Sequence, residues 1–346
     1  MINKFKPDLV LGIAARNEEK TIYATLESLI NEVKLFPQSI SISVHIVLNG
    51  CVDETEQEIK RYISHHHHQN RVVINIKKIQ NGLISAQQII WKKKNKNNVI
   101  VFIDADIVFK QGSLYKLYEM VSQPSTRIVW ANVTPVYKPK TRSLSITRIL
   151  NFRDYFPKIF GVRKYVCGRV FSTKKYPLLI SRSRHVSPIE KNIVKLLSLD
   201  KGPIVDDIYL TRYFRLTYGI DSIENCSTSV AYYNPITNIT DFYVSQRRTV
   251  MEMYRLDLLY PAQESVAKRT SYLRKTINSP TYNQLSLINK IECFLYIILY
   301  DLCRKISMYE LVIKILIVKA GIPVSPINIW PSVKSSKVEF KSSLNT

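Results

Sequence analysis

Between Leu9 and Asp106 short apolar runs alternate with stretches of helical periodicity, and this alternation restricts the fold more than any other feature of the chain. The runs Leu9–Ala15, Val44–Asn49, Val72–Ile76 and Val99–Ile103 have the length and continuity of buried strands. Between them, Ile22, Leu26, Leu29, Ile30 and Val33 recur on one helical face, which predicts a first helix starting near Asn17. Strands separated by helices pair mainly in parallel and are covered on both faces. The expectation is an α/β fold: a mainly parallel sheet flanked by helices.

Two further regions follow. Residues 111–250 are richer in aromatic residues and less periodic, and read as a second half of the same domain begun by residues 1–110. Residues 251–346 carry two apolar stretches, Cys293–Tyr300 and Leu311–Val318, and read as a helical extension. Neither stretch reaches the roughly 20 apolar residues needed to cross a membrane, so they predict helices that are buried or lie in a membrane surface. The Ser- and Lys-rich end from Ser332 is expected to be a loose tail. Leu9–Ala15 is too short, and too quickly followed by Arg16, Glu18 and Glu19, to be a signal peptide. Five scattered cysteines without a CxxC spacing argue against a disulfide framework or a zinc site, and favour a reducing compartment. His65–His68 cannot all face one ion from a helix, so a solvent-exposed turn is expected there.

Charge narrows the partners. Lys and Arg number 50 against 27 Asp and Glu, a formal net charge of +23, which points to an acidic partner surface: lipid head groups, a phosphorylated substrate or nucleic acid. The excess is local. Between Lys138 and Arg184 there are thirteen Lys or Arg and a single acid, Asp154.

Chemistry is concentrated where the fourth strand ends, at Asp104-Ala105-Asp106. Ligands of a parallel sheet bind beyond the carboxyl ends of its strands. Two adjacent carboxylates repel unless a positive charge sits between them, and Mg²⁺ or a similar hard cation meets that need with one or two carboxylates plus substrate phosphates. On spacing alone, one of the two equally well caps the next helix near Ser113. Three polar turns fall on the same edge: Ala14–Glu19 after the first strand, Asn49–Thr55 after the second and Gln80–Ala86 after the third. Together they are suited to a nucleobase and ribose, although each alone reads as helix caps (Asn17, Asp53) and turn glycines (Gly50, Gly82).

In their order these segments resemble the family 2 glycosyltransferases, whose nucleotide-sugar-binding fold is called GT-A. Ala14-Ala15-Arg16-Asn17-Glu18-Glu19 is similar to the family's P-x-Y-N-E-E turn, Leu48–Thr55 to its D-D-G-S-T-D-x-T turn, and Asp104-Ala105-Asp106 to its DxD motif. Gly202–Leu210, with Asp206-Asp207, resembles the E-D-x-x-L segment that supplies the catalytic base. The resemblance spans roughly residues 8 to 250. It implies Asp207 as base with Asp206 beside it, and Asp104 and Asp106 on a Mg²⁺ or Mn²⁺ ion. Donor contacts are implied from Ala15, Asn17, Glu19, Asn49, Asp53, Gly82, Asp104 and Ala105. Gln246-Arg247-Arg248 is similar to the start of the Q-x-x-R-W motif of processive members but lacks its Arg and Trp at the expected offsets, so a polymer synthase is not expected. Arg247 or Arg248 would contact the diphosphate. Residues 1–110 would then be the nucleotide-sugar half and 111–250 the acceptor half.

The acceptor pocket is expected around Cys167, Gly168 and Arg169, inside the basic stretch, which favours an acidic or lipid-linked glycan acceptor. The expected reaction is an inverting, metal-dependent transfer of a sugar in surface glycan or polysaccharide synthesis. The expected setting is the cytoplasm, at the inner face of an anionic membrane, without a nucleic-acid partner. Two rival readings fit the sequence less well. A nucleotidyltransferase acting on a sugar phosphate usually needs a Gly- and basic-rich loop after the first strand, whereas Ala14–Glu19 is acidic and lacks glycine. A non-enzymatic binder of membrane or nucleic acid accounts for +23 but gives no reason for the acids to meet.

Overall fold

The computed structural model describes residues 8–66, 72–80, 82–93, 98–124, 128–136, 145–156, 159, 165–175, 188–199, 204, 206–259, 272–327 and 336–339. Among the described residues eight strands form one sheet: β1 (Leu9–Ala15), β2 (Ile42–Asn49), β3 (Val72–Ile79), β4 (Val99–Asp104), β5 (Ile107–Phe109), β6 (Ile128–Pro135), β7 (Val170–Thr173) and β8 (Ile223–Tyr233). The helices of the first half are α1 (Ile22–Lys34), α2 (Thr55–His65), α3 (Leu83–Trp91) and α4 (Ser113–Ser122). Four follow in the second half: α5 (Ile146–Leu150), α6 (Phe152–Tyr155), α7 (Pro188–Leu196) and α8 (Asp206–Tyr218). The rest are α9 (Ile239–Leu259), α10 (Tyr272–Ile277), α11 (Pro280–Asn283) and α12 (Leu287–Lys319).

The strand order is β3-β2-β1-β4-β7-β6-β8-β5. The half β3-β2-β1-β4 is wholly parallel, as the alternation requires, whereas β7 runs antiparallel to both β4 and β6. The register Ala14↔Asp104 brings the end of β1 level with the end of β4. Apolar side chains fill both faces: Leu11, Ile13, Leu26 and Val101 on one, Val10, Ile90, Phe102 and Phe171 on the other. A third cluster joins α5, α6, α9 and α12 through Phe152, Phe242, Tyr296 and Ile297.

Three expectations change. α1 begins at Ile22 rather than near Asn17, because Asn17 adopts a left-handed φ of 56° that no helix interior accepts. Neither Asp104 nor Asp106 caps the helix at Ser113; Glu32 does so, accepting from Gly112 N at 2.7 Å and Leu114 N at 2.8 Å. The two C-terminal apolar stretches are one helix of 33 residues, α12, about 50 Å long at 1.5 Å per residue. Among the described residues no helix is long and apolar enough to cross a membrane. His65 ends α2 and His66 stacks on Tyr62 at 4.3 Å, while His67 and His68 lie outside the described residues.

α9 carries a fully buried ion pair, Arg255–Glu252, both side chains 0% exposed and 2.5 Å apart. Arg255 also donates to Leu197 O at 2.6 Å and Ser198 O at 2.7 Å, and Glu252 accepts from Ile204 N at 2.8 Å. The pair therefore fixes the chain on both sides of the approach to α8. Removing one partner strands a buried charge, at a cost of about 3–5 kcal/mol. Arg255→Ala is expected to lower stability by that amount in urea unfolding; a loss under about 1 kcal/mol would contradict this reading.

Candidate active site

Thr25 of α1 shapes the turn that follows β4. Its hydroxyl donates to Ala105 O at 3.0 Å and accepts from Ile107 N at 3.2 Å, so the chain between Asp104 and Asp106 is fixed against α1. Asp104 N donates to Arg169 O at 2.8 Å, and the Arg169 guanidinium lies 3.3 Å from Asp106 and 3.8 Å above the Tyr233 ring. The neighbouring Gly168 packs directly on the start of α8. A Cβ built on it would stand 2.7 Å from Asp206 Oδ1 and 3.2 Å from Asp207 Cβ, closer than a side chain permits. Gly168-Arg169 thus forms a partition with Asp106 on one side and the Asp206-Asp207 pair on the other.

Burial and like charge act on Asp104, Asp206, Asp207 and Glu18. The Asp104 carboxyl is raised well above the ordinary range, first by burial and then by Asp106, with Asp206 and Glu18 adding to the effect and Arg169 opposing it. Asp206 is pushed up to about 7 by burial and by Asp207, against a hydrogen bond from Gln87 of α3, whose Nε2 is 2.6 Å from Asp206 Oδ2. Asp207 is raised by burial, while Arg248 and Arg153 favour its charged form. Glu18 is pushed up to about 7 by burial and by Asp106, opposed by Lys337. Arg248 is lowered by burial although Asp207, Asp104 and Asp206 all act to hold its charge. Burial raises Cys167 to about 12, so it stays a neutral thiol beside the cluster.

The three turns form one laced edge. Val52 N donates to Asn17 Oδ1 at 2.9 Å, Glu19 N to Asp53 Oδ2 at 3.2 Å, Glu54 N to Glu19 Oε2 at 3.1 Å and Gly82 N to Asn49 Oδ1 at 3.0 Å. Asp53 also accepts from Thr55 N at 3.2 Å at the start of α2. Asp53 therefore bonds the start of α2, whereas Asn17 does not cap α1 but reaches across to Val52, and these contacts tie the edge together. Beside it opens a cleft of about 380 Å³ lined by Gly50, Asp53, Gln57, Lys78 and Gln80. Ala15, at the end of β1, is buried, and Cys51 Sγ approaches its carbonyl at 3.4 Å.

Two placements differ from expectation. Arg247 turns away from the acids and grips Glu310 of α12 with both Nε (2.6 Å) and Nη2 (2.7 Å), leaving Arg248 as the basic residue of that motif in the cluster. Arg169, expected at an acceptor pocket, faces Asp106. Part of the basic stretch Lys138–Arg184 lies outside the described residues. Sequence reasoning missed Gln87, Arg153, Glu18 as a member of the acid group, and Lys337. Only Glu18 had a signal, its place inside the first-turn motif.

Among the described residues no group of three or more His, Cys, Asp or Glu is arranged to hold a metal ion by itself. The Asp104 and Asp106 carboxylates, one residue apart at the end of β4, are hard oxygen donors that fit a hard cation completing its shell with phosphate oxygens and water.

The family model described as Glycosyl transferase family 2 matches residues 11–176. No curated protein matches the chain. Among solved structures it is similar to a mannosyltransferase from Pyrobaculum calidifontis in complex with GDP-Man and Mn²⁺. That likeness has 12% identity and a TM-score of 0.51, and covers 87% of this chain and 88% of the other. A glucosyl-3-phosphoglycerate synthase from Mycobacterium tuberculosis matches at 13% identity and a TM-score of 0.43, over 72% of this chain and 79% of the other. S. aureus TarS 1-349 matches at 13% identity and a TM-score of 0.41, over 96% and 89%. The chain adopts a GT-A-type fold, and its residues 11–176 match the family 2 glycosyltransferase model.

Proposed function

We propose that the chain transfers a sugar from a nucleotide-diphosphate sugar to a hydroxyl of an acidic or lipid-linked acceptor, with inversion at the anomeric carbon. The observation that carries this reading is the convergence of Asp104, Asp106, Asp206 and Asp207 around Gly168-Arg169. In the proposed reaction the acceptor hydroxyl gives its proton to Asp207 as its oxygen bonds to the anomeric carbon, and the bond from that carbon to the phosphate oxygen breaks. One displacement inverts the configuration. Asp206, held by Gln87, orients the pair. Asp104 and Asp106 would hold Mg²⁺ or Mn²⁺, which neutralises negative charge gathering on the leaving diphosphate when bound. Arg248 faces the same charge, and the laced edge with Ala15, Asn17, Glu19, Asn49, Asp53 and Gly82 receives the nucleoside. The Mn²⁺ and nucleotide sugar bound to the Pyrobaculum enzyme support the choice of donor class.

The lipid surface rests on α12. Cys293, Tyr296, Ile297 and Tyr300 face the protein, while Leu287, Phe294, Leu302, Ile306, Tyr309 and Leu316 are exposed along the opposite side. A continuous apolar stripe of this kind marks an interaction surface. At +23 the chain repels a second copy and is attracted to anionic lipid. Purified protein is expected to sediment with anionic but not neutral vesicles, and Leu302→Glu with Ile306→Glu to abolish this; equal recovery with both vesicle types would contradict it.

A panel of nucleotide sugars assayed with Mg²⁺ or Mn²⁺ tests the activity. Asp207→Asn is expected to keep nucleotide binding and lose transfer by about 10²–10⁴-fold, whereas Asp106→Ala should lose both. Full activity in either variant removes that residue from its role. Burial raises Asp207 above the ordinary carboxylate range, so its charged, proton-accepting form is lost as pH falls through that raised value. The transfer rate should rise with pH through an acid limb displaced above the ordinary carboxylate range; a flat profile from pH 5 to 8 would contradict the assignment.

A further inference from the structure

The end of the chain, expected to be loose, returns to the first turn. In the described segment Ser336–Glu339 the Lys337 ammonium donates to Arg16 O at 2.7 Å, Asn17 O at 3.0 Å and Glu18 Oε1 at 2.5 Å. All three acceptors belong to the turn between β1 and α1, and they match the three donors of an ammonium. The left-handed Asn17 lies inside this turn, and its side chain is already bound to Val52 N, so Lys337 holds the turn from the opposite end of the sequence. On the other side of the segment, Val338 O accepts from Asn234 Nδ2 at 2.6 Å. Asn234 is 6% exposed and directly follows Tyr233, the ring beneath Arg169. Ser336 is itself buried, at 7% exposure. The segment therefore bridges the turn after β1 and the end of β8, which lie on opposite sides of β4 in the sheet.

Glu18 explains why a cation is needed there. Its carboxylate is largely buried, at 13% exposure, and shares the field of Asp106. Without Lys337 it would keep the Thr21 hydroxyl, 2.9 Å from Glu18 Oε2, but would face the like charge of Asp106 with that neutral donor alone among these contacts. We propose that Lys337 is a positioning residue of the donor site: Ser336–Glu339 is a strap that holds the β1–α1 turn and the Glu18 carboxylate in the geometry that receives a nucleoside diphosphate. This rests on the glycosyl-transfer reading above. Lys337 acts through the turn; the turn meets the ligand.

The test uses the full chain as wild type, Lys337→Ala and Lys337→Arg, titrated calorimetrically with UDP and with GDP in the presence of Mn²⁺, with donor KM and kcat measured alongside. Lys337→Ala is expected to weaken nucleotide binding about tenfold and raise donor KM in step, with kcat at saturating donor close to wild type. Lys337→Arg should recover most of the affinity, because a guanidinium can reach the same carbonyls and carboxylate. Nucleotide affinity in Lys337→Ala equal to wild type overturns the strap. So does equal impairment of Lys337→Ala and Lys337→Arg accompanied by a matching fall in melting temperature, which would mark a purely structural contact. A wild type that binds neither nucleotide overturns the glycosyl-transfer reading itself, and the strap with it.

Discussion

Repulsion among buried carboxylates is the constraint around which this molecule is arranged. Asp104 and Asp106 stand at the end of β4, Asp206 and Asp207 begin α8, and Glu18 borders them from the first turn. A folded chain tolerates such a group only when cations and donors are brought to it. Arg169 serves Asp106, Arg248 the pair on α8, Gln87 Asp206, and Lys337 Glu18. Each comes from a different element, so keeping the acids together uses the fold of nearly the whole chain. Asp104 remains raised despite this, first by burial and then by the charge of Asp106.

α9 carries much of that arrangement. Arg247 grips Glu310 and so ties α9 to α12, Arg248 faces the acids, and Glu252 with Arg255 fixes the chain leading into Asp206. The helix thus links the long C-terminal helix, with its exposed apolar stripe, to the proposed base. The tight packing of Gly168 against α8 follows from the same economy of space: a Cβ there would stand 2.7 Å from Asp206 Oδ1.

The first half of the fold was legible because its signals are local. Strand runs and one helical face are periodic within a few residues, so β1 and the core face of α1 were read to the residue, and the four turns were placed on one edge. What was missed depends on distant contacts or on single backbone angles. The start of α1 moved because Asn17 is left-handed, and the two apolar stretches fused because Asp301, Arg304 and Lys305 lie on one helix rather than in a break. Arg247 and Arg248 are adjacent in sequence and opposite in role, which no motif resolves; the direction of each on α9 decides it. Lys337 lies 319 residues beyond its partner Glu18, and nothing in the composition of the C-terminal end distinguishes it from its neighbours.

On the proposed reading, Asp104 and Asp106 would hold a divalent cation together with a nucleoside diphosphate. Electron paramagnetic resonance of Mn²⁺ in the presence of UDP or GDP tests it most directly. Wild-type protein should remove the signal of free and nucleotide-bound Mn²⁺ in proportion to its concentration, and Asp104→Asn should leave that signal in place. A signal untouched by the wild type, or removed equally by Asp104→Asn, would contradict the account.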